Sequence, residues 1–434
     1  MSNIVAIVGR PNVGKSTLSN PLIERREAIT DPTAGTTRDR HYGQVEWTGT
    51  VFSVIDTGGY VTGSEDVFES EIRRQVELAI EESDVILFMV DVRQGLTPMD
   101  DAIAGMLRKA RKTVHLVANK VDTGERQADA AEFYGLGMGE VHCISAQSGA
   151  GTGDLLDTLV AGFRKPSAEA LPDVPKLAIV GRPNVGKSSL VNVLLGREQN
   201  IVTPVAGTTR DPIHTRYTVF GFDVMLLDTA GIRKRQRVNE DIEFYSVIRS
   251  VRAIEASDVC LLMVDATEGV QQQDLHIFSI IARNGKGVVV VVNKWDLVPK
   301  ETNTMKAFEA DVRQRLAPFS DVPVVFTSVL EKQRIHKVME LAMQVHADRS
   351  RKIPTRQLND VMLPEVERMG PPMYKGKVIR IKFINQLPTP VPSFAFYANL
   401  PQYIKAPYVR FLENKLRQHY RFTGVPIRIF LRKK

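Results

Sequence analysis

Short apolar runs alternate with longer amphipathic stretches along most of this chain, and the whole alternation occurs twice. The first set of predicted strands covers residues 4–8, 51–55, 85–90, 114–117 and 141–144. The second set covers residues 177–180, 224–227, 259–264, 288–292 and 324–326. Apolar strands separated by helical stretches are typical of a parallel sheet covered on both faces. The pattern therefore predicts two α/β domains.

The pattern changes near residue 351. It then predicts a helix over 354–369, strands over 378–384 and 394–400, a helix over 407–420 and a last strand over 427–431. Pro364 should kink or end the first of these helices, because proline removes a backbone hydrogen bond. The order α-β-β-α-β indicates a small α+β domain.

These patterns divide the chain into residues 1–163, a linker at 164–175, residues 176–349 and a C-terminal domain at 350–434. The linker contains three prolines and no hydrophobic period, which indicates a semi-extended connection. The C-terminal domain has 17 basic against 4 acidic residues, a net charge of +13, whereas residues 1–163 have 15 against 24, a net of −9. A local positive field favours a polyanionic partner, although a solvated basic surface is the plain alternative.

Two features bear on location. Cys143 and Cys260 are the only cysteines, which gives no disulfide framework and indicates a reducing compartment. No apolar run approaches the roughly 18 residues of a membrane helix, and the strand predicted at 4–8 leaves no space for a signal peptide. We therefore expect a cytoplasmic protein without a membrane contact.

The octet at residues 9–16 recurs unchanged at 181–188 and has the form GxxxxGK[ST] of a phosphate-binding loop. Backbone N–H groups of such a loop converge on phosphate at a helix N-terminus. The lysine should neutralise charge on the β- and γ-phosphates, and the serine hydroxyl should bind Mg²⁺. The predicted nucleotide-binding residues are Gly9, Arg10, Pro11, Asn12, Val13, Gly14, Lys15 and Ser16, with Gly181, Arg182, Pro183, Asn184, Val185, Gly186, Lys187 and Ser188.

A second repeated string, Ala-Gly-Thr-Thr-Arg-Asp, stands at 34–39 and 206–211. A threonine in a mobile loop can close on Mg²⁺ and the γ-phosphate, so that the loop senses whether that phosphate is present. We expect Thr37 and Thr209 in this role, with Thr36 and Thr208 as the alternatives. Arg38 and Arg210 are candidate catalytic fingers, and a solvated or structural role is the other interpretation.

A third motif follows a predicted strand in each copy and reads Asp56, Thr57, Gly58 and Gly59, or Asp228, Thr229, Ala230 and Gly231. The aspartate should hold a water on Mg²⁺, and the last glycine N–H should meet the γ-phosphate. The predicted Mg²⁺ site is therefore Ser16, Thr37 and Asp56, repeated as Ser188, Thr209 and Asp228. The predicted catalytic residues are Lys15, Thr37 and Gly59, repeated as Lys187, Thr209 and Gly231.

The residue after the third motif is Tyr60 in one copy and Ile232 in the other. In Ras-like enzymes a glutamine at this position orients the attacking water, and neither residue here can do so. Either hydrolysis is very slow, or another group stabilises the transition state.

A fourth motif predicts the base. Asn-Lys-x-Asp strings follow predicted strands, and their carboxylate can accept two hydrogen bonds from guanine N1–H and N2–H₂, a pair that adenine does not offer. Backbone N–H groups of a Ser-Ala or Ser-Val pair should then meet the base oxygen. The predicted residues are Asn119, Lys120, Val121, Asp122, Ser145 and Ala146, with Asn293, Lys294, Trp295, Asp296, Ser328 and Val329.

This set of motifs resembles the translation-factor-class GTPases, and the duplicated strings resemble the tandem-domain ribosome-assembly members of the TrmE-Era-EngA-like family. The resemblance implies GTP and GDP as ligands, a KH-like C-terminal domain, action in maturation of the large ribosomal subunit, rRNA as partner and a monomeric free protein. In related GTPases the asparagine of the phosphate loop helps to hold a potassium ion. The resemblance therefore implies K⁺ at Asn12 and Asn184, and the alternative is that each asparagine only stabilises its loop.

Two other functions remain open at this level. One is a tRNA-modification GTPase, which has a single GTPase domain, so the duplication argues against it. The other is a non-catalytic RNA-binding scaffold that only holds GTP, suggested by the missing glutamine. The C-terminal domain has no GxxG loop with which to clamp nucleic acid, so we expect phosphate contacts with little sequence preference. We also expect residues 1–349 to bind nucleotide without that domain.

Overall fold

The computed structural model describes residues 3–30, 42–56, 73, 76–77, 79–80, 83–110, 112–163, 174–196, 204–205, 214–227, 243–317 and 319–433. The chain divides into two compact units at Glu169 and Ala170. The described residues below 164 belong to the first unit, and those from 174 onward belong to the second.

The first unit has a sheet of order β2-β3-β1-β4-β5-β6 among its described strands. The strands are β1 (Asn3–Val8), β2 (Tyr42–Trp47), β3 (Thr50–Asp56), β4 (Val85–Asp91), β5 (Thr113–Asn119) and β6 (Val141–Cys143). The helices are α1 (Lys15–Thr30), α2 (Pro98–Lys109), α3 (Glu125–Asp129) and α4 (Thr152–Ala161), with a 3₁₀ helix at Ala130–Leu136. All pairs are parallel except β2 with β3.

The sequence predicted the central strands of this sheet because their side chains are buried on both faces. Every residue of β4 is buried, and two apolar clusters lie on opposite sides of the sheet. The antiparallel edge strand β2 was not predicted, since Gly43, Gln44 and Glu46 interrupt its apolar pattern. The sheet is therefore mixed, with mostly parallel strands.

The second unit contains a sheet of order β13-β12-β11-β7-β10-β9-β8 and a smaller sheet of order β14-β15-β16. The larger sheet consists of β7 (Lys176–Gly181), β8 (Pro204–Val205), β9 (His214–Tyr217), β10 (Val224–Leu227), β11 (Val259–Asp265), β12 (Gly287–Asn293) and β13 (Val324–Phe326). Its helices are α5 (Lys187–Leu195), α6 (Glu243–Ala256), α7 (Gln272–Arg283), α8 (Thr304–Arg315) and α9 (Ile335–Arg349). Among the described strands of this sheet, the pairs β8 with β9 and β9 with β10 are antiparallel.

The C-terminal domain has the predicted order. It consists of α10 (Thr355–Arg368), β14 (Ile381–Gln386), β15 (Ser393–Ala398), α11 (Ala406–His419) and β16 (Arg428–Lys433), with a 3₁₀ turn at Pro401–Tyr403. Strand β15 lies in the centre, antiparallel to β14 and parallel to β16. The predicted α/β architecture with an α+β C-terminal domain is therefore confirmed.

Two prolines lie inside helices rather than at their ends. Helix α1 continues nine residues past Pro21, and α10 continues four residues past Pro364. The second helix therefore does not end at its proline. Each proline still removes one backbone donor.

The C-terminal domain and the second GTPase copy share a continuous apolar core, which includes residues from Leu177 to Ile429. Backbone hydrogen bonds join Gly424 to Val288 of β12 at 2.8 Å and to Asp321 at 2.7 Å. The Arg417 guanidinium also lies 3.4 Å from the Asp321 carboxylate. Removing residues 350–434 would expose part of this core to water, which should destabilise the second copy. The expectation that residues 1–349 bind nucleotide without the C-terminal domain stays a prediction.

None of the helices in the described ranges is long and apolar enough to cross a membrane.

Candidate nucleotide-binding sites

The two phosphate loops follow β1 and β7 and have nearly the same backbone geometry. In the first loop φ is 150°, 62° and 99° at Gly9, Asn12 and Gly14. In the second loop φ is 147°, 60° and 99° at Gly181, Asn184 and Gly186. This repeated left-handed path is one that glycine adopts at little steric cost.

The glycines also allow close backbone approach. A Cβ on Gly181 would lie 2.5 Å from the Met263 carbonyl oxygen, and a Cβ on Gly14 would collide with the Asn119 amide. The first contact packs the loop on the neighbouring strand β11, and the second packs the other loop on a base-recognition residue. A larger residue at either position would displace the loop.

Each loop lysine folds back on its own loop. The Lys15 ammonium donates to the carbonyl oxygens of Gly9 at 2.7 Å and Arg10 at 2.9 Å. Lys187 donates to the corresponding carbonyls of Gly181 and Arg182. Burial lowers the pKa of Lys15 to about 8, against the opposing effect of the Asp56 carboxylate. A phosphate group at this position would favour the charged form of the lysine.

The structure brings two of the residues predicted to bind Mg²⁺ together in the first copy. The Ser16 hydroxyl donates to Asp56 Oδ2 at 2.5 Å, and the Asp56 side chain is fully buried. A hydroxyl and a carboxylate are hard oxygen ligands of the kind that Mg²⁺ prefers, so these residues fit the ion. Ser188 is described in the second copy, whereas Asp228 is not.

A buried ion pair fixes the second residue of each loop. Arg10 Nε donates to the fully buried Asp100 carboxylate at 3.1 Å, and Arg182 Nε donates to Asp274 at 3.0 Å. Both aspartates also accept a backbone N–H at the start of their helices, α2 and α7. The loop is thereby tied to a helix about 90 residues further along the chain.

The asparagine of each base motif joins the phosphate loop to the last base-recognition loop. Asn119 Nδ2 donates to the Val13 carbonyl at 2.7 Å, while its oxygen accepts the Ala146 N–H at 2.9 Å. Asn293 makes the same two bonds, to Val185 at 2.8 Å and from Val329 at 3.1 Å. Val329 occupies the position of Ala146 in the first copy, and its backbone N–H makes the same hydrogen bond. A guanine oxygen bound at either site would accept the Ala146 or Val329 N–H together with the asparagine oxygen or in place of it.

The lysine of each base motif has a left-handed backbone and an acidic partner. Lys120 Nζ lies 2.6 Å from Asp91 and donates to the Asn12 carbonyl at 2.8 Å. Lys294 Nζ lies 2.6 Å from Asp265. In each copy the aliphatic part of the lysine side chain can cover one face of the base while the ion pair fixes the position of the ammonium group.

Asp122, the predicted guanine acceptor of the first copy, is held by two neighbours. Its Oδ1 accepts the Ser145 hydroxyl at 2.7 Å, and its Oδ2 accepts Arg93 Nη2 at 2.5 Å. These two hydrogen bonds hold the pKa of the Asp122 carboxyl below its ordinary value. The carboxylate is therefore ionised and oriented before a base arrives. The position corresponding to Arg93 in the second copy is Thr267.

Several predicted residues lie outside the described part of the chain. They are Thr37, Thr57, Gly58, Gly59, Tyr60, Thr209, Asp228, Thr229, Ala230, Gly231 and Ile232, together with the alternatives Thr36, Thr208, Arg38 and Arg210 and most of the 164–175 linker. The predictions that concern them stay predictions.

Sequence reasoning missed the carboxylates that position the loops. A comparison of the two copies contains the signal, because Asp91 and Asp265, and likewise Asp100 and Asp274, are both 174 positions apart. Lys120 and Lys294 have the same separation. Because a constant offset marks equivalent positions in the two copies, an acidic residue that recurs at the offset of the base-motif lysine is a candidate partner for that motif.

Comparison with known proteins gives the family. The 50S ribosome-binding GTPase family matches residues 4–120 and 176–294, and the C-terminal KH-domain-like family of EngA bacterial GTPase enzymes matches 352–432. The chain is 60% identical to GTPase Der of Christiangramia forsetii over 434 residues and 57% identical to GTPase Der of Porphyromonas gingivalis over 437 residues, with full coverage of both chains in each case. The chain belongs to the GTPase Der family.

A solved structure of Aquifex aeolicus Era with GDP and AlF4⁻ is 23% identical, covers 60% of this chain and 92% of its own, and has a TM-score of 0.30. The assignment to the Der family therefore rests on the full-length relatives. As a member of that family, the protein binds guanine nucleotide and hydrolyses GTP, with two GTPase domains and a KH-like C-terminal domain.

Replacing Arg93 by threonine, the residue of the second copy, is expected to weaken guanine nucleotide binding in the first copy of this Der-family GTPase about two- to fivefold, the range of a partly exposed ion pair. Loss of Arg93 also lets the pKa of Asp122 rise. Because the ionised carboxylate is the acceptor, binding should then fail at a higher pH on acidification than in the unaltered protein. Titration of labelled GDP between pH 4 and pH 7 measures both effects. Arg93→Lys should restore much of the binding, and tighter binding by Arg93→Thr would contradict a positioning role.

Proposed function

We propose that this Der-family GTPase acts in maturation of the large ribosomal subunit, with rRNA as its partner and the nucleotide state of its two GTPase copies as the switch. The C-terminal domain is the main anchor, and the GTPase copies control its access. The single observation that carries the proposal is the union of a domain of net charge +13 with the second GTPase copy through one core. Relatives that match along the whole chain are named GTPase Der.

The C-terminal charge is available for a polyanion because three of its four acidic residues, Asp360, Glu365 and Glu413, already have basic partners. Glu365 lies near Arg368, Lys415 and His419, within 3.2 Å of each. Glu413 pairs with Arg417 at 2.9 Å. Most of the remaining basic side chains of the domain are exposed. We infer that they bind phosphates, which give affinity and orientation with little sequence choice.

Mg²⁺ and K⁺ are the proposed ions. Mg²⁺ would be held by Ser16, Thr37 and Asp56 in the first copy and by Ser188, Thr209 and Asp228 in the second, where it would neutralise charge on the phosphates. The side chains of Asn12 and Asn184 are exposed on their loops and make no hydrogen bond in the described part of the chain. A free amide oxygen at the phosphate loop supports an ion-binding role over a loop-stabilising one.

The proposal also includes a monomeric free protein in the cytoplasm.

Co-sedimentation with ribosomal particles tests the proposal. The full-length protein with a non-hydrolysable GTP analogue should sediment with large subunits or their precursors, and with GDP it should remain in the supernatant. Salt should weaken the complex steeply, because each phosphate contact adds roughly −0.7 to −0.9 to the log–log slope. Equal sedimentation with both nucleotides, or sedimentation only with small subunits, would contradict the proposal. Charge substitutions are preferable to truncation here, because truncation would open the shared core.

A further inference from the structure

An exposed apolar and basic surface extends from the end of α10 into the first residues of β14. Met369 and Met373 are 57% and 68% exposed, and Val378 and Phe383 are exposed as well. The stretch 369–383 contains four basic residues and no acidic residue. The basic residues are Lys375, Lys377, Arg380 and Lys382, all exposed and none in an ion pair among the described residues. We call residues 369–383, together with Tyr403, the turn surface.

A tight turn presents the lysines. Tyr374 and Lys377 form an antiparallel bridge, with backbone hydrogen bonds of 3.1 and 2.9 Å in the two directions. Lys375 and Gly376 between them have φ of 46° and 74°. Positive φ at both central residues is the type I′ arrangement of a two-residue hairpin turn. The turn therefore holds Lys375 and Lys377 close together on an exposed loop.

Side chains from the rest of the domain hold the turn surface in place. The Asn399 amide donates to the Val378 carbonyl at 3.0 Å and accepts the Arg380 N–H at 2.9 Å. The Tyr408 hydroxyl donates to the Met369 carbonyl at 2.6 Å. These bonds fix the backbone at Met369, Val378 and Arg380, which lowers the entropic cost of binding a ligand.

An aromatic pair lies at the base of the turn. The rings of Tyr374 and Tyr403 are stacked, with centroids 3.8 Å apart and planes inclined by 12°. Lys375 Nζ lies 5.7 Å from the centroid of the Tyr374 ring. Both rings are only half-buried. A flat aromatic face beside a cation is the combination on which an unstacked nucleobase rests.

We propose that the turn surface is a binding site for single-stranded RNA, with phosphates at the four basic side chains and bases against the tyrosine pair and the exposed methionines. Cations without carboxylates match a phosphate backbone, whereas a protein partner would have to desolvate all four charges. A duplex fits less well, since its bases are already stacked. This site would take the place of the GxxG clamp that the domain lacks. The inference rests on the proposed rRNA-binding function and locates its contact.

The first test is a charge reversal in the full-length protein. Lys375→Glu with Lys377→Glu changes two exposed side chains, and Lys300→Glu with Lys306→Glu is the matched control, because those lysines are also exposed and the change in net charge is the same. Anisotropy of a labelled 20-nucleotide oligo(U) over a range of KCl concentrations measures affinity and salt slope. The turn variant should lose about tenfold or more in affinity, and its slope should become shallower by roughly 1.4, twice the single-strand value per phosphate. The control should change less than threefold.

The second test concerns the tyrosine pair. Tyr403→Ala should weaken oligo(U) binding roughly 5- to 150-fold, the range for loss of one stacked base, whereas Tyr403→Phe should bind like the unaltered protein. A 20-base-pair RNA duplex should bind more weakly than the single strand. Thermal unfolding of each variant identifies any loss of folding. The charge-reversal test remains valid if Tyr403→Ala unfolds the domain, because it changes only exposed lysines and leaves the packing of the tyrosine rings intact.

The outcomes separate this inference from the proposed function. If the turn variant binds oligo(U) as well as the Lys300 and Lys306 control does, the turn surface is not the RNA site, although rRNA anchoring elsewhere on the domain can still hold. If the turn variant loses ribosomal particles but keeps oligo(U), the surface contacts protein and the inference is wrong. If the unaltered protein binds neither RNA, both the inference and the rRNA anchor fail.

Discussion

Asp122→Asn is expected to weaken GTP binding at the first copy by roughly 100-fold or more and to turn that copy toward xanthosine nucleotides. The predicted role of the carboxylate is to accept the N1–H and N2–H₂ of guanine, and an asparagine amide would present a donor to one of them. Xanthine has a carbonyl oxygen in place of the 2-amino group, so it pairs with that donor. Ser145 and Asn119 are unchanged in this variant, so the other residues predicted to surround the base keep their positions.

Competitive titration with labelled GTP and XTP measures the exchange, and Asp296→Asn tests the second copy in the same way. Asp129→Asn is a suitable control, because Asp129 is exposed on the short helix α3 and lies outside the motifs. Each site variant should lose one class of GTP sites and gain one class of XTP sites. Unchanged GTP binding in both site variants would refute the base assignment.

GTP hydrolysis is expected to be at least about tenfold faster in potassium than in sodium. Fixed positive charge at the transferring phosphoryl group is the main form of catalysis in this reaction, and an arginine finger supplies about 10³- to 10⁵-fold where one exists. Tyr60 and Ile232 replace the glutamine of Ras-like enzymes. An ion held by Asn12 or Asn184, both exposed at their phosphate loops, would supply that charge.

Steady-state phosphate release in matched potassium and sodium buffers tests this expectation. Asn12→Ala and Asn184→Ala should each remove part of the acceleration, and the double variant should remove nearly all of it. Asn303→Ala is the control, because Asn303 is exposed and its side chain makes no cap hydrogen bond. Equal rates in the two salts would exclude the potassium mechanism. Acceleration that survives in the double variant would assign the ion to other ligands.

The sequence was sufficient for the strands whose apolar character is continuous, and insufficient where tertiary contacts decide. All ten strands predicted for the two GTPase copies are present, because β4 and β11 and their parallel neighbours are buried on both faces. The edge strand β2 and the inner strand β9 mix polar and apolar residues, so their pairing depends on neighbours that local sequence does not reveal. Helix α10 continues past Pro364 because its buried face, with Leu358, Met362 and Val366, packs in the shared core.

The same distinction applies to the nucleotide sites. The phosphate loops and base motifs could be predicted because their chemistry is local and each string occurs twice. The carboxylates of Asp91 and Asp100 could not, since they approach Lys120 and Arg10 only after the sheet has formed. Arg93 was missed for the same reason, and here the two copies differ. The hydrogen bonds of Gly424 to Val288 and Asp321 could not be predicted either, because they form only when the C-terminal domain packs against β12 and its neighbouring loop.

One chain of this protein is expected to bind guanine nucleotide at two independent sites. Native mass spectrometry of the full-length protein with saturating GDP counts these sites. We expect two GDP molecules per chain for the unaltered protein, one for Asp122→Asn, one for Asp296→Asn and none for the double variant. A single GDP in the unaltered protein, or two in the double variant, would contradict this expectation.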